Sequence, residues 1–311
     1  MKMRVKKKEY LGEKFMNSIT LSKKQFDNLT RLDIGSSQST ESNIFILDKG
    51  PWKYADGSML LKELHTQDGV SMSTKLATVS LLSDKKDEIN INELVIPNNL
   101  VVVKNKVIGF TVPYIKDAKS LKSVIENPKI DNKEKIEYLR QVGKTLKKVE
   151  SLERRKVINL SIGDLHEDNV LVTKDKNIKF VDLDGAYIGN NYPQDALYLY
   201  SKAIKNVKKY KFSEYGQARP DKNTDLYCYN MMLLNMISRR RLYICDISEY
   251  FDYLNYLKKL GFGADILKSF GRVYTEGPNI NPVDYLDEIP EDKLGEAGYK
   301  IYEFKKNNHR L

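Results

Sequence analysis

The sequence predicts an α+β fold in two lobes, and three observations carry that prediction. Short apolar runs bounded by turn residues fill positions 20–115, and helical periodicity takes over after Lys116. A compact apolar–turn–apolar segment, residues 161–189, then falls between two of the helical stretches. The boundaries read as a basic tail over 1–19, a β-rich lobe over 20–112 and a helical lobe over 113–311.

In the first lobe, "SNIFIL" (42–47) and "SMLLKEL" (58–64) are short apolar runs on either side of the turn-rich "DKGPWKYADG". "LVVVKNKVIGFTVPYI" (100–115) gives two more strands around a turn at Lys104–Lys106. Between these pairs, "TKLATVSLLSD" (74–84) has helical spacing, with Leu76, Val79 and Leu82 on one side. In the second lobe, "DNKEKIEYLRQVGKTLKKVES" (131–151) opens with Asp131 and Glu134, the pattern of a capping box. Its apolar positions Ile136, Leu139, Val142, Leu146 and Val149 step by three or four and line one face. "TDLYCYNMMLLNMIS" (224–238) is apolar nearly all round, which marks a helix buried within a lobe. The tyrosines of this half, together with Trp52, read as packing residues.

Composition narrows the function classes. At 311 residues with 41% hydrophobic and 30% charged residues, the chain can bury a sizeable core, and no apolar run approaches a membrane span. The basic opening "MKMRVKKKEY" leads into no apolar signal region and reads as a tail. Cys228 and Cys245 form no disulfide framework or metal spacing, which fits a reducing cytoplasm. The net charge of +10 comes from scattered lysines with no aromatic-interleaved stripe, the pattern of a solvated surface and not of a nucleic-acid binder. "GKT" at 143–145 imitates the end of a P-loop, but Tyr138 stands where the first glycine belongs and the triplet lies mid-helix.

The segment "SIGDLHEDNVLVTKDKNIKFVDLDGAYIG" (161–189) carries the chemistry. Between Asn169 and Asp182, "VLVT-KDKN-IKFV" alternates as a hairpin should, so both side chains are expected at its open end. Asp164 lies five residues before Asn169 and reaches the same place. An amide and a carboxylate are hard oxygen ligands suited to Mg²⁺. A second carboxylate nearby can orient an incoming hydroxyl, which completes the parts that phosphoryl transfer needs.

"GDLHEDNVLV…IKFVDLDG" resembles the catalytic and metal-binding segments of the protein-kinase-like superfamily. The resemblance implies Asp164 as catalytic aspartate, Asn169 as a magnesium ligand and Asp182 as the magnesium aspartate of a DFG-like motif. It also implies that "SMLLKEL" presents Lys62 to the phosphates of ATP, and that Asp225 ties backbone amides near the catalytic loop. The connector "GFTVPYIKDAKSL" resembles an inter-lobe hinge. There the Pro113 carbonyl and the Ile115 N–H would meet an adenine edge, and proline keeps that carbonyl although it lacks an N–H.

Several features depart from the family pattern. The loop "DIGSSQSTESNIFIL" offers only Gly35 where several glycines are usual. No glutamate in 74–84 is placed to pair with Lys62, and Glu88 lies beyond the helix. Ile162 and Gly163 replace the usual His and Arg, and "GDLHEDN" is more similar to aminoglycoside and choline phosphotransferases. The expectation is therefore a cytoplasmic, Mg²⁺- and ATP-dependent phosphotransferase acting on a protein Ser/Thr hydroxyl. The alternatives are a small-molecule kinase or a pseudokinase that serves as a nucleotide-binding scaffold.

Overall fold

A computed structural model describes residues 18–32, 42–49, 56–65, 69–189, 207–210, 220–240 and 246–308. Most of the basic tail, Gly35 and Trp52 lie outside the described residues. The class is α+β, with a mixed sheet. The chain divides into two compact units, Met1–Met72 with Pro97–Tyr114, and Ser73–Ile96 with Ile115–Leu311. Residues 73–96, expected in the β-rich lobe, are part of the second unit.

The first unit is built on a six-stranded sheet. Its strands are β1 (Ser18–Leu21), β2 (Thr30–Arg31), β3 (Ser42–Ile46), β4 (Met59–Leu64), β5 (Leu100–Val103) and β6 (Lys106–Pro113), with a short helix α1 (Lys23–Asp27) after β1. The order across the sheet is β1-β5-β6-β4-β3-β2, antiparallel except for the parallel β1–β5 pair. Lys104 and Asn105 turn the β5–β6 hairpin with φ of 50° and 61°, a two-residue connection whose twist matches the strands. Alternate side chains Leu61, Met59, Val101 and Val103 join Leu21 and Leu47 in the core on one sheet face. Gly109 of β6 faces β4 so closely that a Cβ there would sit 2.0 Å from the Lys62 carbonyl oxygen. Only glycine lets the strand that carries Lys62 be paired this tightly.

The second unit takes up most of helix α2 (Gly69–Asp84), then α3 (Lys86–Ile89), β7 (Lys119–Ser120), α4 (Leu121–Glu126) and α5 (Asn132–Arg154). It continues with β8 (Leu160–Ser161), β9 (Val170–Val172), β10 (Ile178–Phe180), β11 (Tyr187–Ile188), α6 (Lys222–Ser238), α7 (Ile247–Lys259), α8 (Ala264–Arg272) and α9 (Tyr299–Asn308). Among the described residues no helix is long and apolar enough to cross a membrane.

Helix α5 buries the face its periodicity foretells: Ile136, Leu139, Val142, Leu146 and Val149 are all 5% exposed or less. Its start differs from the expected capping box. Asp131 does cap, accepting from Lys133 N, but Glu134 takes the Tyr138 hydroxyl at 2.6 Å and pairs with Lys176 at 3.3 Å. A tyrosine one turn on, together with a lysine, outcompetes the backbone for that carboxylate. The "GKT" triplet also has a structural explanation. A Cβ on Gly143 would fall 2.5 Å from the Tyr229 hydroxyl, so the glycine lets α6 approach α5, and Tyr229 donates to the Leu139 carbonyl at 2.8 Å.

The buried stripe of α2 is rotated from the expected one. Leu76 is only half-buried, and the covered positions are Lys75, Thr78, Val79 and Leu82. These follow the i, i+3, i+4, i+7 rule with a lysine as its first member.

Candidate active site

Two short antiparallel pairs assemble the site, and both belong to the second unit. On one side β9 and β10 form the expected hairpin, with Val170 opposite Phe180. Just beyond it, Val181 N donates to the Asn169 carbonyl at 2.9 Å. Asn169 and the residue before Asp182 are thus joined directly at the open end of the hairpin. On the other side β8 pairs with β11, Ser161 opposite Tyr187, which brings the two ends of the segment together. Gly163 lies between, at φ 82°, where a Cβ would be 2.4 Å from the Gly185 carbonyl oxygen. That φ strains any L side chain and that gap admits none. Glycine at this position lets the Asp164 loop lie against the Asp182–Gly185 segment.

Asp164 is exposed at its tip and held from two sides. Asn169 Nδ2 donates to the Asp164 carbonyl at 2.9 Å and to Oδ2 at 3.3 Å, while His166 Nε2 lies 3.7 Å from Oδ2. The other imidazole nitrogen, Nδ1, accepts from Asp168 N at 3.3 Å, which fixes the ring. Burial pulls the Asp164 carboxyl upward, but His166 and the Asn169 amide outweigh it and hold it below the usual 3.8. Burial likewise works against charge on His166, yet Asp164 beside it raises the imidazole above 6.5.

The sign of each shift sets a pH window. The contribution of Asp164 is present above 3.8 and fades as pH falls through its lowered value. That of His166 is present below 6.5 and fades as pH rises through its raised value. With only three histidines in the chain, His166 can be followed by NMR. It should titrate above 6.5, and Asp164→Asn should bring it down, because burial then meets less opposition. An unchanged midpoint in that variant would contradict the pairing.

Asp182 opens a short 3₁₀ turn, Leu183–Gly185, in the left-handed region at φ 62°. The Asn169 amide nitrogen is committed to Asp164, which leaves Oδ1 as its atom for a cation. Among the described residues no three His, Cys, Asp or Glu side chains converge on one point. The donors that the resemblance offers are the Asn169 amide oxygen and the Asp182 carboxylate. They fit magnesium, which keeps several waters and takes one or two carboxylates plus substrate phosphates.

Two residues beyond Asp182, Asp184 is buried at 2% exposure, and Lys75 of α2 reaches it at 4.0 Å. The glutamate sought in that helix is absent. The helix instead supplies a cation, and the aspartate-rich segment supplies the anion. Sequence reasoning missed this pair. Its signal was the helical register of Lys75 with Val79 and Leu82, together with the second acid of "DLD".

Asp225, in the first turn of α6, does what the resemblance implies. Its Oδ2 accepts from Ser161 Oγ at 2.9 Å and Ile162 N at 2.8 Å, and its Oδ1 accepts from Gly163 N at 3.1 Å. Burial pushes the carboxyl up to about 6, against the pull of those three donors.

The remaining expected residues fall in or at the edge of the first unit. Lys62 is buried in β4, with Nζ 5.8 Å from the Phe110 ring centre. Pro113 ends β6 opposite Met59, and Ile115 begins the second unit's longer stretch, Ile115–Leu311. Gly35 is not among the described residues.

Beside the Asp164 loop, the second unit contains a cavity of about 680 Å³. His166, Glu167 and Asp168 form one wall, with α4, the start of α5 and the end of α6 around it. No protein-family model matches the chain, and no curated protein matches it.

Proposed function

We propose that this protein is a kinase-like phosphotransferase that moves the γ-phosphoryl group of ATP to a hydroxyl, on a two-lobed protein-kinase-like fold. One observation carries the reading. The Asp164 carboxylate, kept ionised by His166, accepts at 3.3 Å from the amide of Asn169, whose backbone carbonyl is joined through Val181 N to the end of the hairpin that bears Asp182. In this reading Asp164 orients the acceptor hydroxyl and takes its proton as the new P–O bond forms and the bond to ADP breaks. Asn169 and Asp182 would hold magnesium, which when bound neutralises charge on the phosphates. Lys62 is assigned to the ATP phosphates, and the backbone of Pro113 and Ile115 to adenine, by the resemblance alone.

The acceptor is either a Ser/Thr side chain of a protein or a hydroxyl on a small molecule. The cavity favours the small molecule: its size is that of a ligand pocket, and it shares His166 with the catalytic loop. The test is to incubate the protein with γ-labelled Mg-ATP and follow label on the protein itself, on a generic protein acceptor and on a panel of small alcohols. Transfer by the wild type that is lost in Asp182→Asn is the expected result. Nucleotide binding without transfer to any acceptor would leave only the scaffold.

A further inference from the structure

The cavity beside His166 is walled by charged residues, most of which are already engaged. Lys122 pairs with Asp168 at 3.2 Å, Asn235 donates to Glu167 at 3.1 Å, and Arg240 reaches Glu303 at 3.1 Å. Asp131 caps α5. Two cations are left over. Lys135 is 93% buried by its relative exposure of 7%, yet among the described residues its ammonium makes no hydrogen bond and no ion pair. Arg239 ends α6 in the left-handed region at φ 54°, exposed at the rim and likewise without a partner among those residues. Of the lining carboxylates, Asp168 is paired with Lys122, Glu167 and Asp131 accept from uncharged donors, and Glu126 is exposed and without a partner among the described residues.

The Lys135 side chain is largely covered, so its ammonium meets solvent through the cavity without a hydrogen bond or ion pair, and Arg239 adds a second positive charge nearby. Burial first, and then Arg239, hold the Lys135 pKa below 10.5, while Asp131 offsets only part of this. An oxyanion in the cavity would relieve both groups through charge-assisted hydrogen bonds.

We propose that the cavity binds a small molecule through a phosphate or carboxylate group held by Lys135 and Arg239, and that this molecule presents its hydroxyl to Asp164 past His166. The second half rests on the phosphotransferase reading. The first half does not. The substrate class is thus a hydroxylated organic anion, in contrast to a cationic amino-sugar or amino-alcohol.

Calorimetric titration of the full chain with glycerol 3-phosphate, glycerate and glycerol tests it. Either anion should saturate the protein, and glycerol should not, which separates the oxyanion from the hydroxyl. The two anionic arms separate phosphate from carboxylate. Lys135→Met keeps the stem and removes the charge, and Arg239→Asn suits the left-handed backbone. Each should weaken anion binding by roughly tenfold or more. Circular dichroism and thermal unfolding verify that the variants are folded, and the comparison of anion with neutral ligand needs only the wild type. Failure of both anions to saturate, or undiminished binding by both folded variants, overturns the site. Anion binding without phosphoryl transfer to any acceptor overturns the enzyme reading and leaves the site standing. Transfer to neutral alcohols without anion binding does the reverse.

Discussion

In the proposed phosphotransferase, Asp164→Asn should lower phosphoryl transfer by a factor on the order of 10²–10⁴ and leave the fold and nucleotide affinity close to wild type. The expectation follows from the surroundings of the side chain. Its tip is exposed, and its anchors are mostly made by other atoms: the Asn169 amide bonds chiefly to the Asp164 carbonyl, and the loop is fixed from below by Asp225. Replacing one carboxylate oxygen by an amide therefore removes the charge and the proton-accepting atom with little loss of packing. His166→Gln should cost less, because it removes only the imidazole N–H that helps keep Asp164 ionised and orients it. Single-turnover rates with saturating Mg-ATP are the measurement. A rate within about threefold of wild type for Asp164→Asn would remove Asp164 from the mechanism.

How far the sequence reveals this arrangement depends on whether a feature is local. The β9–β10 hairpin is legible because alternation and turn residues lie within a dozen positions, and it alone brings Asn169 next to Val181. The strands of Lys62 and Pro113 and the buried faces of α5 and α6 are legible for the same reason. Long-range partners that replace an expected one are not. A search for a glutamate to match Lys62 passes over Lys75, because a lysine on an apolar helix face reads as noise until Asp184 is seen opposite. Glu134 satisfies the pattern of a capping box, but Tyr138 and Lys176 claim it. The cations at the cavity are invisible for a related reason. Lys135 and Arg239 lie on different helices, and in a chain with 52 lysines and arginines neither stands out.

The larger effect on stability belongs to Asp225→Ala. Alanine would leave the Ile162 and Gly163 N–H groups and the Ser161 hydroxyl buried without an acceptor, at roughly 1–3 kcal/mol for each backbone donor. Partial rearrangement of the loop would recover some of this, so a net loss of about 2–4 kcal/mol is expected, together with transfer activity. Asp225→Asn keeps the volume and one acceptor oxygen, but turns an NH₂ toward a donor, and should fall between wild type and alanine. Ser161→Ala should cost under about 1 kcal/mol, since the carboxylate retains both amides.

A pH series separates these cases. The native carboxyl titrates at about 6 and the unfolded one near 3.8, so this group's share of stability declines as pH climbs through that interval. The asparagine variant has no such group, and its stability relative to wild type should improve over the same interval. Urea midpoints at pH 4 and pH 7 measure the difference. The order alanine, asparagine, wild type in rising stability is the signature of a carboxylate that holds the Asp164 loop by its amides. If alanine matched wild type in midpoint, the loop would be held by packing alone, and the geometry around Asp164 would need another source.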